Sequence, residues 1–117
     1  MKEPTKDEIS LFKLIAEKYR KEIGPRQYFY NSYLEKIQWS EYCQPKATWA
    51  IPLWTISDCL ELLREKGLTF SFYNYTVGKY YFEYGYPNKR YWSDIVAYKT
   101  PLEACLRAVL AVLVGKK

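Results

Sequence analysis

The sequence predicts an α+β domain, in which a three- to four-stranded antiparallel meander packs against two helices and an additional helix lies at the N-terminus. Three observations predict it. Apolar residues recur at helical spacing near both ends of the chain. Between them, residues 68–98 are dense in tyrosine and phenylalanine, alternate with period two and contain turn signals. The chain has 117 residues, of which 49% are hydrophobic and 26% charged, a balance typical of globular proteins.

This length and composition predict a single domain over residues 1–117 with a core of its own. Within it we expect an N-terminal helix over residues 6–23 and an aromatic connector over residues 25–54. A helix–meander–helix body should follow over residues 55–114.

The first helix is predicted from its cap and its apolar stripe. Thr5 and Glu8 have the spacing of a capping box, which satisfies two backbone donors that a helix start leaves free. Gly24 and Pro25 are expected to end the helix. The apolar stripe consists of Ile9, Phe12, Ile15, Ala16, Tyr19 and Ile23.

The connector has a less regular pattern. Its apolar positions predict a short helix around Asn31 to Ile37. Residues 46–52 (KATWAIP) predict an extended segment, and Pro52 restricts that segment to the edge of a sheet because proline lacks a backbone donor.

The second helix is predicted to start after Thr55, with Asp58 near its positive end, and to stop at Gly67. Trp54 lies just before the cap, where a large apolar side chain suits a hydrophobic staple. The expected buried stripe consists of Ile56, Cys59, Leu60 and Leu63.

Three strands joined by short turns are predicted next. The first begins at Leu68, and the two turns are expected at residues 77–79 and 87–90. The third strand is expected over residues 91–98. Consecutive strands with such short connections are antiparallel.

The last helix begins with three signals in a row: Thr100 as cap, Pro101 at the first helical position and Glu103 at the third. Its buried stripe is predicted to consist of Leu102, Cys105, Leu106, Val109, Leu110 and Leu113.

Several kinds of chemistry lack their usual residues. The chain contains no histidine, which is the commonest general base and metal ligand, and its five glycines form no phosphate-binding loop. The cysteines Cys43, Cys59 and Cys105 have neither CxxC nor zinc spacing, and they indicate a reduced protein. We therefore expect a non-enzymatic protein with no cofactor and no metal site.

Two carboxylates fall within predicted strands, and they are the remaining candidates for catalysis. Glu83 and Asp94 could oppose each other across the meander and support metal-dependent chemistry. The interpretation we favour is that each forms an ion pair with Lys79, Lys89 or Arg90 on a solvated face of the sheet.

The predicted ligand site is a cluster of aromatic and basic residues on the strands and turns of the meander. Rings between cations suit a nucleotide, because the rings stack on the base and the cations meet the phosphates. The same residues also fit a protein interface, or the core of a sheet that the first helix covers. The cluster, called here the meander cluster, consists of Tyr81, Tyr84, Lys89, Arg90, Tyr91 and Trp92.

A second candidate is the segment of residues 26–30 (RQYFY). Its alternative interpretation is a hydrophobic flap that packs the first helix onto the body of the domain.

Net charge and hydropathy restrict the partners. A charge of +5 and a pI near 9.0 fit a nucleotide-like anion or a host protein, whereas the lack of a dense basic run argues against nucleic acid. No apolar run is long enough to span a membrane, and the polar start has no signal-peptide core. We expect a cytoplasmic protein that forms homo-oligomers.

The run over residues 47–113, from ATWAIPLWTISDCLELL through the aromatic strands to YKTPLEACLRAVLAVL, resembles a family of small bacteriophage and prophage proteins, including those described as an ABA-sandwich domain. The resemblance implies a phage-encoded accessory protein that counters bacterial immunity by binding a host protein or sequestering a nucleotide signal, in the cytoplasm of an infected or lysogenic host. It supplies no catalytic residue. The matching residues are Trp49, Pro52, Leu60, Leu63, Thr100, Glu103 and Ala104.

Overall fold

The structure is a computed structural model, and it describes residues 3–41, 47–76, 79–86, 89–92 and 100–115. For residues 72–76, 79–82 and 89–92 the description is of the backbone. The chain divides into two compact units, Met1–Leu53 and Trp54–Lys117. The predicted α+β class is confirmed, and each unit combines helix with antiparallel sheet.

The first unit contains one helix and a three-stranded antiparallel sheet. Helix α1 spans Lys6–Lys18, and the strands are β1 (Gln27–Asn31), β2 (Lys36–Ser40) and β3 (Ala50–Pro52). The strand order is β2-β1-β3, so β1 is central and β2 forms one edge. Helix α1 lies against β3.

The second unit contains the predicted helix–meander–helix. Helix α2 spans Ile56–Glu65 and α3 spans Pro101–Leu113; between them lie β4 (Thr69–Thr76), β5 (Lys79–Tyr86) and β6 (Lys89–Trp92). The sheet order β4-β5-β6 is antiparallel throughout. The two helices contact each other, α3 contacts β5 and α2 contacts β4. The meander is therefore confirmed, whereas the separate sheet of the first unit was not predicted.

All three helices start as predicted. Thr5 and Glu8 form a reciprocal capping box, and Thr55 and Asp58 form a second one. At the third start, the Thr100 hydroxyl accepts a hydrogen bond from the Glu103 amide at 3.0 Å. These short polar patterns are local, so the sequence alone was sufficient to locate them.

The predicted end of the first helix was wrong. Helix α1 stops at Lys18, and Tyr19 is extended with φ −148°. Leaving the helix there lets Ile23 pack with Phe29 and Ala50 in a small cluster on the sheet. Burial of an apolar side chain in this cluster outweighs continuing the helix to Gly24.

The short helix predicted around Asn31 to Ile37 was also wrong, because this segment is the turn of the β1–β2 hairpin. Tyr30, Leu34 and Ile37 happen to lie at helical spacing, yet a helix would have had to bury Leu34, which is exposed. Residues 50–52 of the KATWAIP segment do form an edge strand, but in the sheet with β1 and not in the meander.

The turns of the meander are shorter than predicted. Thr76 pairs with Lys79 and Tyr86 pairs with Lys89, so Lys79, Lys89 and Arg90 belong to strands. The third strand begins at Lys89 and not at residue 91, while residues 93–99, including Asp94, lie outside the described part of the chain.

The buried sides of α2 and α3 differ from the predicted stripes at particular positions. On α2, Leu62 is buried and Ile56 is exposed. On α3 the two small residues Ala104 and Ala108 are buried, whereas Leu110 is only half-buried. Small side chains allow a neighbouring element to approach closely. The buried face of α3 therefore includes two alanine positions that the predicted leucine-rich stripe did not contain.

Candidate functional site

The most exposed apolar group of side chains in the described structure of the first unit lies on the β1–β2 hairpin. Tyr33 is 80% exposed and Leu34 56%, while Tyr28 and Trp39 are 44% and 47% exposed. These four residues, called here the hairpin surface, belong to one continuous element of 14 residues, from Gln27 to Ser40. Exposed aromatic and aliphatic side chains gathered in this way are typical of interaction sites.

Two of the four side chains form a ring pair. Tyr28 and Trp39 occupy directly opposite positions on β1 and β2. Their ring centroids are 4.7 Å apart and the ring planes meet at 64°, which is an edge-to-face arrangement. The Trp39 indole N–H donates to the Glu41 carboxylate, which fixes the indole further. The pair is therefore ordered although almost half of its surface meets solvent.

The other two side chains are presented by an ordered turn. The buried Asn31 accepts hydrogen bonds at Oδ1 from the backbone amides of Tyr33 at 2.9 Å and Leu34 at 3.1 Å. Its Nδ2 donates to Gln38 Oε1 at 2.8 Å, across the hairpin. Glu35 completes the turn with φ 52°. One asparagine thus holds the turn that carries Tyr33 and Leu34.

The hairpin stands on a packed base. Phe29 and Tyr30 follow each other on β1 and therefore point to opposite faces, and both are buried. Phe29 packs against Trp49, with 6.1 Å between ring centroids, while the Lys13 ammonium of α1 lies 5.3 Å from the Tyr30 ring centroid. Both faces of the central strand are covered, so the exposed side chains are attached to a supported strand.

Two further contacts hold β3 and the segment before it. The Arg20 guanidinium donates to the carbonyl oxygens of Ala47, at 2.5 Å, and Ala50. Ser32 donates to the Trp49 carbonyl through its amide at 2.9 Å and its hydroxyl at 3.1 Å. These hydrogen bonds connect the start of the hairpin turn to the residue directly before β3.

Charges of both signs border the hairpin surface. Arg26 and Lys36 are exposed cations, and Glu35 and Glu41 are exposed anions. Residues 26–41 therefore carry no net charge, and the exposed Lys13 of α1 adds one cation beside them at the Tyr30 ring. These charges are mixed in sign and do not form a concentrated positive field.

The meander cluster is only partly placed by the described residues. The register sets Tyr84 opposite Phe70 and Tyr91, Gly85 opposite Arg90 and Glu83 opposite Trp92. Successive residues of a strand alternate between the two faces of the sheet. Positions 84 and 91 therefore belong to one face, and positions 90 and 92 belong to the other. A site on one face of the sheet would thus contain only part of the cluster.

Tyr84 is the member of the meander cluster whose side chain is described, and it is only 8% exposed. This burial fits the core interpretation for that residue. The side chains of Tyr81, Lys89, Arg90, Tyr91 and Trp92 lie outside the described ones, and their role as a ligand site stays a prediction.

The solvated-face interpretation of Glu83 was wrong, because Glu83 is only 5% exposed. On β5 it lies opposite Ser71 of β4 and Trp92 of β6, while Asp94 lies outside the described residues. Packing of α3 against β5 gives this sheet a covered region that period-two alternation alone does not reveal.

The second candidate segment, residues 26–30, contributes one member of the hairpin surface. Tyr28 is exposed, whereas Phe29 and Tyr30 are buried within the first unit. The flap that would pack the first helix onto residues 55–114 stays a prediction. Sequence reasoning missed Tyr33 and Leu34 because it assigned them to a helix over Asn31 to Ile37, and it assigned Trp39 to no strand. The signal for a hairpin was that large apolar residues occur at every second position on both sides of Asn31. They are Tyr28 and Tyr30 before it and Ile37 and Trp39 after it.

The described residues contain no group of three or more cysteine and acidic side chains positioned to hold a metal ion. Among the helices that the structure describes, none has the length and apolar character needed to cross a membrane.

Comparison with family models, with curated proteins and with solved structures found no match to this chain. The resemblance to small phage proteins therefore stays a prediction, and the function has to be argued from the site itself.

Proposed function

We propose that this chain is a non-enzymatic binding protein and that it engages another protein through the hairpin surface. The observation that supports the proposal most directly is the exposed ring pair of Tyr28 and Trp39, on the same hairpin whose turn exposes Tyr33 and Leu34. Tyrosine and tryptophan are enriched among the residues that dominate protein interfaces, because they bury a large area at little cost in conformational entropy.

Two properties of the surface favour a protein over a nucleotide as the ligand. Charges of both signs surround it, with Glu35 and Glu41 among the cations, so it suits the mixed polar rim of a protein interface better than a phosphate. Its turn and its ring pair are held by hydrogen bonds before any partner arrives. Preorganisation of this kind reduces the entropy that association loses.

The test is quantitative capture of proteins from an extract of the source cells, with the chain immobilised. Wild-type protein is compared with the double variant Tyr28→Ala/Trp39→Ala and with Tyr86→Ala. Tyr86 is a matched control because it is 43% exposed, on strand β5 of the second unit. A captured protein should bind the wild type and Tyr86→Ala equally and should lose at least about tenfold in affinity for the double variant.

The variants must first be shown to fold, by circular dichroism and thermal unfolding. If the same proteins bind all three forms equally, the hairpin surface is not the binding site and the proposal fails. Self-association counts as protein binding in this test, provided that it depends on Tyr28 and Trp39.

Sequestration of a nucleotide-derived anionic signal by the meander cluster is the alternative function, and the phage origin and role against host immunity belong with it. Its support is the aromatic and basic composition of Tyr81, Lys89, Arg90 and Trp92 together with the net charge of +5. Titration with nucleotides tests it separately, since the two sites share no residue.

A further inference from the structure

We infer that the partner at the hairpin surface is a second copy of this chain, added edge to edge along β2 to make a continuous six-stranded sheet. The inference rests on the proposed function, because it names the occupant of the same surface. It is carried by the position of β2 as the outer strand among the described residues, by the side-chain pairs that two such strands would form, and by the charges at their ends.

The first observation is the position of β2 in its sheet. It pairs with β1 on one side and is the outer strand of the order β2-β1-β3. An outer strand presents backbone donors and acceptors that another strand can satisfy. Trp39 on this outer strand and Tyr28 next to it on β1 are both nearly half exposed. A strand added to β2 would cover both the backbone edge and part of the ring pair.

The second observation is that β2 is complementary to itself. Two identical antiparallel strands are related by a two-fold axis perpendicular to the sheet, so the central residue lies opposite its own copy. An axis at Gln38 uses all five residues of the strand. It sets Gln38 opposite Gln38 of the second copy and Ile37 opposite Trp39 of the second copy.

This register joins apolar side chains on one face. Ile37 is half-buried and lies opposite Tyr30, and Trp39 lies opposite Tyr28. In the dimer each Trp39 would gain an aliphatic neighbour across the new strand pair, an arrangement that stabilises antiparallel sheets. The aromatic band of one copy would continue into that of the other.

The third observation is the balance of charge. Lys36, the only charged residue within β2, falls opposite the neutral Ser40 of the second copy. At each end of the strand pair, Glu35 and Lys36 of one copy would lie near Glu41 of the other, whereas Arg26 lies on the β1 side of β2, where its amide donates to the Ser40 carbonyl. Lys36 would then have an anion of the second copy nearby, and the strand pair itself would bring no two cations face to face.

The decisive experiment is disulfide trapping in full-length protein with Cys43→Ser; Cys59 and Cys105 are retained because they are buried. Directly opposite Cα atoms in antiparallel strands are about 4.5–5.5 Å apart, within disulfide range. Gln38→Cys should therefore form an intermolecular disulfide at least about tenfold faster than Lys36→Cys, whose two copies would lie about 14 Å apart along the strands. Equal rates, or no cross-link with Gln38→Cys, would overturn the proposed register.

Sedimentation equilibrium without cross-linking gives an independent measure. The wild type should show a concentration-dependent dimer, Trp39→Lys should weaken it at least about tenfold, and Leu14→Lys, at a comparably exposed position on α1, should leave it unchanged. A wild-type monomer at the highest soluble concentration overturns the dimer. In that case capture of another protein that still depends on Tyr28 and Trp39 keeps the proposed function, whereas capture that ignores both residues ends it as well.

Discussion

Tyr28 and Trp39 face each other across the β1–β2 hairpin, with ring centroids 4.7 Å apart and ring planes at 64°. The pair joins the central strand β1, where Tyr30 is buried, to β2, the outer strand of the described sheet. It therefore has two roles that can be separated by experiment, one in the stability of the hairpin and one in binding.

The stability role can be measured with a double-mutant cycle. Tyr28→Ala, Trp39→Ala and the combined variant should show a coupling of about 0.5–1 kcal/mol in the free energy of unfolding, because each single variant already removes the ring contact. Denaturant unfolding of the four proteins supplies the values. Additive effects of the two substitutions would mean that the ring pair is a consequence of the fold and contributes nothing to it.

Asn31 is predicted to order the turn that carries Tyr33 and Leu34. Asn31→Ala removes two hydrogen bonds to the turn amides and one to Gln38. We expect a loss of about 1–3 kcal/mol in the free energy of unfolding and faster hydrogen exchange at the amides of Tyr33 and Leu34.

Gln38→Ala is the matched control for Asn31, because it removes only the bond between the two side chains. The amides of Tyr33 and Leu34 should stay protected in that variant. Similar exchange rates in both variants would show that the turn is held by something other than Asn31 Oδ1.

The elements that the sequence predicted well are those with local causes. A threonine three residues before an acidic residue marks a helix start whatever surrounds it, and Thr5, Thr55 and Thr100 all cap helices. The tyrosine-rich meander likewise follows from period-two alternation with short turns. Both kinds of signal are complete within about ten residues of chain.

The errors come from contacts between residues distant in sequence. The residues near Lys18 contain no signal for the end of a helix. Helix α1 ends there because Ile23 packs with Phe29 and Ala50. The helix expected around Asn31 to Ile37 was wrong for a related reason. The spacing of the apolar residues fits both a helix and a hairpin, and the pairing of β1 with β3 favours the hairpin. The hairpin surface could not be proposed from sequence until this segment was known to be a turn.

The two helix caps give a test of the single-domain prediction. Thr5→Ala acts in the first unit and Thr55→Ala in the second, and each should lower stability by about 1 kcal/mol, whereas serine at either position should retain most of the cap. If the chain unfolds as one domain, each alanine variant shifts the same single transition. Circular dichroism and tryptophan fluorescence should then report coincident midpoints, and two separate transitions would contradict a single domain.

Cys105 is predicted to be inert in the native protein and to affect stability only in alkali. Burial raises the pKa of the Cys105 thiol from 9.0 to about 12. Between these two values the unfolded chain has lost a proton that the folded chain retains. The contribution of the thiol is therefore fully present below pH 9 and decreases above it, by up to about 1.4 kcal/mol per pH unit.

Comparison with Cys105→Ala isolates this contribution from other groups that titrate in alkali. The stability advantage of the wild type over the variant should be constant below pH 9 and should shrink above it. A thiol reagent at pH 8 should modify Cys105 only after unfolding. A constant advantage up to pH 11, or rapid modification of the native thiol, would contradict the predicted effect of burial.

The nucleotide hypothesis makes its own prediction about the meander cluster. Isothermal titration with cyclic nucleotides and ADP-ribose-type compounds should detect binding that Arg90→Ala and Trp92→Ala each weaken at least about tenfold, because one removes a cation for the phosphates and the other a ring for the base. Arg26→Ala is the matched control, since it removes an exposed cation outside the cluster. The ligand should be recovered intact, as a binding protein requires, whereas a cleaved product would identify an enzyme. If no compound binds the wild type, sequestration of these nucleotides is excluded, while the protein-binding role of the hairpin surface is unaffected.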